Sequence, residues 1–331
     1  MSEFRQDIVN KNWVLIAEAR GRRPTDFSEL QASPMSLPEV SGKCDLCPGN
    51  EHLTPSEIVR YAKGGDWLIR VIPNKYEAVE HILGKRREDF YIARPGIGDH
   101  EVVITRWHNQ PTAVQSLELI DLTLQVYIDR INDLRLHEEV RYVHIIQNHG
   151  IQAGASIVHP HSQIFAIPFL PDRILDELWG TRRYFEENSS CVYCDMINYE
   201  TQAQERVIIN TDNFLVITPY ASKMPFEIHI LPKNHRASFH EITIPERKAL
   251  AQCFKDVFSR LYDRMKNPAY NYYIHTLPFA DHHITKITDD SKSYHWHVVI
   301  LPRVNVWAGF ELGTEVYVNP MPPEKAAKFF H

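Results

Sequence analysis

The sequence predicts an α+β protein built from two similar halves, each an antiparallel sheet with a long helix packed across it. Three observations predict this. The chain has 331 residues, too many for one small core and suited to two domains of ordinary size. The same order of signals occurs twice: a CxxC pair, a strand-like run leading to a histidine, a long helical pattern, another strand, and a His-x-His segment. The runs between the helices are rich in Val, Ile, Tyr and Phe alternating with polar residues, as half-buried strands are.

The elements follow in order. DIVNKNWVLIAEA reads as a strand, followed by a basic, Pro-containing turn, ARGRRP. Residues 24–43 hold Pro, Ser and Glu without periodicity and read as a surface loop. The first half then gives CDLC and the strand EVVITRW, ending at His108. Ser116 can cap a helix whose stripe is Leu117, Ile120, Leu124, Ile128 and Ile131. YVHIIQ and HPHSQIFAIP follow. The join falls near 170–190, in the helix-like DRILDELWGTRRYFEEN, which sets the halves at 1–175 and 176–331. The second half gives CVYC, then FEIHILPKN ending at His235. Thr243 to Glu246 spells a capping box with Pro in the first turn. Leu250, Phe254, Val257 and Leu261 form that helix's buried stripe, and NYYIHTL and HWHVVILPR close the half.

The formal charge of −6 and pI near 6.3 disfavour a nucleic-acid-binding protein, which grips phosphates with a basic face. A small anionic ligand, needing only a few arginines, fits better. No apolar run is long enough to cross a bilayer, and the N-terminus lacks the pattern of a signal peptide, so the expected location is cytoplasmic with no membrane partner.

Four of the five cysteines lie in two CxxC pairs, while Cys253 falls in a helical pattern as a core residue. A CxxC pair alone is ambiguous between metal and redox chemistry. Here each pair recurs with one histidine at a strand end and another in a His-x-His segment. Two thiolates and two imidazoles complete a tetrahedral zinc shell. Cys44, Cys47, His108 and His159 are therefore assigned to one zinc, and Cys191, Cys194, His235 and His295 to a second, two per chain. Glu177, His229, His282 and His283 are alternative ligands for the second site. A redox role is disfavoured because neither pair is expected to open a helix that would lower a thiol pKa.

The run NHGIQAGASIVHPHSQIFAIP is the most specific feature of the chain. It supplies an imidazole nucleophile, small residues that let backbone approach a phosphate, and a carboxamide. Gly154 to Ser156 can offer backbone N–H and a hydroxyl to phosphate oxygens. As a strand, HPHSQIF turns His159, His161 and Gln163 to one face.

With these residues the sequence resembles the galactose-1-phosphate uridylyltransferase family of the histidine-triad superfamily, over nearly its whole length. The resemblance implies a histidine-triad-like catalytic half and a degenerate second half. It implies that His161 attacks the α-phosphorus of a nucleoside diphosphate sugar and becomes nucleotidylated, that His159 is a zinc ligand, and that Gln163 hydrogen-bonds the transferring group. It further implies nucleotide contacts from Arg20, Arg23, Asn74, Asn148, Gly154 and Ser156, and a homodimer. Hydrolytic members of the superfamily carry a histidine where Gln163 stands. Glutamine cannot shuttle a proton, so the intermediate is kept for a phosphorylated acceptor.

In the second half His297 matches His161, but Val299 stands at the glutamine position and no Gly-Ala-Ser loop precedes it. This copy is expected to carry no chemistry. The tail GFELGTEVYVN matches the family's hexose-binding region and implicates Phe310 and Glu315. It departs from the uridylyltransferase pattern at Gly309 and Thr314, and together with CPGNE and the second CxxC it also resembles ADP-glucose phosphorylases. The expected activity is ping-pong transfer from UDP-glucose to galactose 1-phosphate. The alternative is adenylyl transfer from ADP-glucose with phosphate as acceptor, and a non-catalytic zinc-stabilised nucleotide-binding protein stands third.

Overall fold

Alternation in the strands and capping at the helices carry through into a computed structural model that describes residues 2–18, 20, 37–79, 96–279 and 290–331. The first half contributes β3 (Val59–Lys63), β4 (Asp66–Pro73), β5 (Asp99–Thr105), β6 (Tyr142–His149) and β7 (His161–Ile167). The second contributes β8 (Val207–Asn210), β9 (Phe214–Ile217), β10 (Ile228–Pro232), β11 (Tyr270–His275) and β12 (His297–Pro302). They join in one ten-stranded sheet of order β3-β4-β5-β7-β6-β11-β12-β10-β9-β8. Read outward-in, each half has the same strand order, and the two meet back to back where β6 pairs antiparallel with β11. The repeat seen in the sequence is therefore a repeat of topology.

In each half the long helix lies between the third and fourth strands: α1 (Leu117–Leu134) and α4 (Ile244–Met265). Ser116 caps α1 by accepting the Leu119 N–H, and Thr243 and Glu246 form the reciprocal capping box of α4. Both helices cover the same sheet face. Ile120, Leu124 and Ile131 of α1 and Leu250, Phe254, Val257 and Leu261 of α4 share one core with Val103, Ile145, Ile164, Ile274 and Val298. Leu117 departs from its expected stripe. At the first position of α1 it remains 38% exposed, and Leu119 and Tyr127 fill the stripe instead. Cys253 is buried in this core, as expected.

Because the helices take one face, Ser162, Ile164 and Ala166 of β7 turn toward them, and His161, Gln163 and Phe165 turn to the other side. In the second half the corresponding side of the sheet is covered. There α2 (Asp172–Asn188) and α3 (Val192–Ala203) pack with Val9, Leu215, Ile217 and Leu231 in a separate apolar cluster. A small sheet adds to it: β1 (Ser2–Gln6), β2 (Trp13–Ala17) and β13 (Tyr317–Asn319), with β13 parallel to β2. The N-terminal stretch expected to be a single strand is thus a hairpin, because Lys11 adopts a left-handed conformation and Asp7 N–H bonds the Asn12 carbonyl (2.9 Å). The chain closes with α5 (Gly309–Thr314) and α6 (Pro323–Phe330), whose Glu324 pairs with Arg5 at 2.8 Å. Among the described residues no helix is long and apolar enough to cross a membrane.

Gly180, inside α2, shows how tightly this cover is seated. A Cβ there would stand 2.0 Å from the Val9 carbonyl oxygen. Gly180→Ala should therefore destabilise the protein by about 1–3 kcal/mol through overpacking, although alanine is the better helix former by about 1 kcal/mol. A urea unfolding midpoint at or above that of the unaltered protein would overturn this.

Candidate active site and metal centres

The loop between β6 and β7 depends on two glycines. Gly150 and Gly154 both have φ of +82°, and a Cβ on Gly150 would lie 2.8 Å from the Ala269 Cβ. Between them a single 3-10 turn closes through Gly154 N–H to the Ile151 carbonyl (2.9 Å), and Ala155 N–H returns to the Gly150 carbonyl (3.1 Å). Gly154 and Ser156 are left exposed at the loop's tip. Asn271, on β11 of the other half, donates to the Asn148 side-chain oxygen (2.7 Å) and to the Ala153 carbonyl (2.8 Å). Sequence reasoning missed Asn271, since nothing local marks an asparagine that acts across the seam.

At the start of β7, His161 Nδ1 lies 2.8 Å from the His159 carbonyl oxygen. A carbonyl only accepts, so Nδ1 carries the proton and Nε2 the lone pair, with no partner among the described residues. Burial holds the ring's pKa below the ordinary imidazole value, against a smaller upward pull from that hydrogen bond. A neutral imidazole with Nε2 unprotonated is the form that can act as a nucleophile. Gln163 sits two residues on, turned to the same face. Its Oε1 is 2.8 Å from His100 Nε2, and its NH₂ group has no protein partner among the described residues. Asn74, at the end of β4, reaches the same atom of His100 at 3.0 Å. His100 is a second residue that the motif search did not find.

The other expected contacts are less gathered. Arg20 is exposed, and Arg23 lies outside the described residues. Phe310 is half exposed on α5, and Glu315 caps that helix in a left-handed conformation. No hydrogen bond, ion pair or ring contact among the described residues links Phe310 or Glu315 to His161.

Both expected metal sets converge, with ligand atoms within 4.8 Å of one another. In the first, Cys47 Sγ is 3.4 Å from both His108 Nδ1 and His159 Nδ1, and Cys44 Sγ is 3.8 Å from His159 Nδ1. In the second, Cys194 Sγ is 3.5 Å from His235 Nδ1 and 3.7 Å from His295 Nδ1, with Cys191 Sγ at 3.8 Å from His295 Nδ1. A tetrahedral ion with bonds of about 2.3 Å to sulfur and 2.0 Å to nitrogen has S···N edges of about 3.5 Å, so both sets fit one. The outer nitrogen of each ring is also held. His159 Nε2 donates to the Thr105 carbonyl (2.6 Å) and His295 Nε2 to the Pro232 carbonyl (2.9 Å), which fixes each ring with Nδ1 toward the thiols.

Two expectations about the second site change. Cys191 is the residue preceding the first turn of α3, so this pair does open a helix. Cys191 and Cys194 therefore do stand at a helix start, where a thiol pKa can be lowered, contrary to expectation. Glu177 is not an alternative ligand for this set, since it gathers with His275 and His297 in a third buried group. There His275 Nδ1 is 2.9 Å from Glu177 Oε2, and Tyr294 donates to the same oxygen at 3.2 Å. His229 pairs with Glu227 (3.0 Å), and His282 and His283 lie outside the described residues.

His297 repeats the geometry of His161, with Nδ1 3.1 Å from the His295 carbonyl. Its surroundings differ: it is 2% exposed and packs against Tyr193 of α3, ring centroids 4.9 Å apart. Covered in this way, the His297 ring is closed off from solvent.

Residues 1–171 match the family model described as the galactose-1-phosphate uridyl transferase N-terminal domain, and residues 177–321 match the C-terminal domain. The chain belongs to the galactose-1-phosphate uridylyltransferase family. It is 34% identical to an ADP-glucose phosphorylase of Arabidopsis thaliana, over 98% of this chain and 91% of that one. It is 28% identical to a galactose-1-phosphate uridylyltransferase of Thermotoga maritima, over 99% and 97%. The crystal structure of an Arabidopsis thaliana ADP-glucose phosphorylase with bound ADP-glucose superposes with a TM-score of 0.84 at 33% identity, covering 100% of this chain and 98% of that one. A uridylyltransferase structure gives 0.76 at 25% identity, covering 100% and 97%. As a member of this family the chain is an enzyme, a nucleotidyltransferase.

Asn271→Ala would free the Asn148 side chain and the Ala153 carbonyl together. We expect a stability loss of about 1–3 kcal/mol from the stranded polar groups. Turnover should fall on the order of 10- to 100-fold as the loop shifts. Parallel urea titration and steady-state assay check both, and unchanged turnover would show that the loop needs no support from the second half.

Proposed function

We propose that the enzyme transfers a nucleoside monophosphate from a nucleoside diphosphate hexose to a phosphorylated acceptor or to phosphate itself, through a covalent intermediate on His161. The observation that carries this reading is the His161 ring, proton on Nδ1 and lone pair on Nε2, beside a carboxamide with unused donors. Nε2 attacks the α-phosphorus; a P–N bond forms as the bond to the departing hexose 1-phosphate oxygen breaks. The acceptor oxygen then attacks phosphorus and the P–N bond breaks, which restores the neutral ring. Gln163 donates to the transferring phosphoryl group, and Asn148, Gly154, Ser156, Asn74, Arg20 and Arg23 hold the nucleotide. In this reading residues 1–175 form the catalytic half. Residues 176–331 form the degenerate half, which brings Phe310 and Glu315 to the sugar.

Two substrate pairs fit. Similarity to the Arabidopsis enzyme over nearly the full length favours ADP-glucose with phosphate as acceptor, and the matching family models favour UDP-glucose with galactose 1-phosphate. We infer zinc at both Cys₂His₂ sets, the metal that suits two thiolates and two imidazoles in a closed tetrahedron. All four of these thiols are free, which suits a reducing cytoplasm, and the family resemblance supports a homodimer.

Donor without acceptor should leave an acid-labile nucleotidyl adduct on His161, read by intact mass with ADP-glucose and UDP-glucose in turn. The donor that labels identifies the base. His161→Ala should abolish labelling, His297→Ala should leave it intact, and Gln163→Ala should slow it by about 10²- to 10³-fold. Full exchange by His161→Ala would overturn the mechanism, and absence of any adduct with either donor would overturn the covalent intermediate.

Metal content gives a separate check. Elemental analysis should find about two zinc ions per chain, with Cys44→Ser and Cys191→Ser each losing about one. Unchanged content in both variants would overturn the assignment.

A further inference from the structure

A glutamine side chain is nearly symmetric. Turned by 180° it would present its carbonyl oxygen, instead of its NH₂, to an anionic phosphoryl group. Something must decide which end faces the reaction, and His100 on β5 is placed to do it. Its ring is 5% exposed and stacks on Phe165, centroids 3.9 Å apart, directly across the β5–β7 pair. Its backbone carbonyl accepts the Asn74 N–H (2.7 Å), so the residue is anchored at both ends.

The proton position follows from one contact. The Ala78 backbone N–H points at His100 Nδ1 from 3.1 Å. A backbone N–H only donates, so Nδ1 must accept and the ring's single proton sits on Nε2. Burial keeps the ring below the ordinary imidazole pKa, against the upward pull of Gln163, which favours this neutral form. Nε2–H then donates to its neighbour at 2.8 Å, and that neighbour must be the Gln163 carbonyl oxygen. Asn74 Nδ2 also approaches Nε2, at 3.0 Å, but Ala78 has taken the ring's one lone pair, so this approach is no hydrogen bond. Asn74 is oriented separately, its Oδ1 accepting the Tyr76 N–H at 2.9 Å.

We propose that His100 is a positioning residue for nucleotidyl transfer: it clamps the Gln163 carbonyl oxygen, so that the Gln163 NH₂ is the end presented to the transferring phosphoryl group. The chain Ala78 N–H, His100, Gln163 passes the fixed direction of a backbone amide to a side chain that would otherwise rotate. The proposal rests on the reading that Gln163 donates to that group.

The test measures single-turnover labelling and donor KM for His100→Leu, His100→Gln, Gln163→Ala and the double variant His100→Leu/Gln163→Ala. Removing the clamp should slow labelling by on the order of 10²-fold, as loss of one aimed donor does, with donor KM within about threefold. His100→Gln, which restores an N–H toward Gln163, should recover most of the rate. The double variant should label no more slowly than Gln163→Ala alone, because the two residues act as one unit. Thermal unfolding of each variant separates misfolding from misorientation, and His100→Gln carries the test if His100→Leu fails to fold. A slow Gln163→Ala beside a fast His100→Leu, or rate losses that simply multiply in the double variant, overturns the clamp. A Gln163→Ala variant that labels at full rate overturns the underlying role of Gln163, and the clamp with it.

Discussion

Where β6 meets β11, Tyr270 to Ile274 pair in register with His149 to Ile145, and two half-sheets become one. Each half alone would end in an open strand, with unpaired N–H and C=O groups inviting wrong partners. Their mutual pairing removes both edges at once. It also fixes the loop that follows β6, because Gly150 rests on Ala269 and Asn271 holds Asn148 and Ala153 from across the seam. The second half is therefore a structural part of the loop between β6 and β7. The helices reinforce the seam from behind. Tyr127 of α1 bonds both Ser162 of β7 and Tyr272 of β11 at 2.7 Å, and Arg247 of α4 pairs with Asp121 of α1 at 2.7 Å.

Equal topology does not give the halves equal chemistry. His161 and His297 each hold Nδ1 against the carbonyl two residues back, and each follows a histidine of a Cys₂His₂ set. They differ in what lies above them. Over His297 stand α2 and α3, with Tyr193 against its ring and Glu177 and His275 in its group. Over His161 the sheet face is only half-buried. Covering a strand face with helices costs access to solvent and ligand, and that loss separates the packed His297 ring from the half-buried His161 ring.

The metal sets act at the rims of this arrangement. Each ties a tight CxxC turn to histidines from separate segments of its half, 61 to 115 residues apart in the first set. A metal ion held by such a set would cross-link that span, constrain the unfolded chain and fix the strand that bears the histidine two residues on. In the first set that strand is β7, so His159 and His161 are positioned by the same anchor.

Much was legible in the sequence because it depends on local chemistry. The repeat, both long helices with Ser116 and Thr243 as caps, the gathering of two cysteines with two histidines around Cys44 and Cys191, and the alternation that turns His161 and Gln163 to one face all follow from spacing and side-chain type. Other features were decided only by tertiary structure. Which half keeps an open face depends on where α2, α3 and the small sheet of β1, β2 and β13 settle, and β13 comes from the far end of the chain. Asn271 and His100 matter through partners more than twenty residues away, Ala153 and Asn148 for one, Gln163 and Ala78 for the other. The role of a side chain whose partners come from another strand is set by register, and register between distant strands is fixed only when the whole sheet closes around its core.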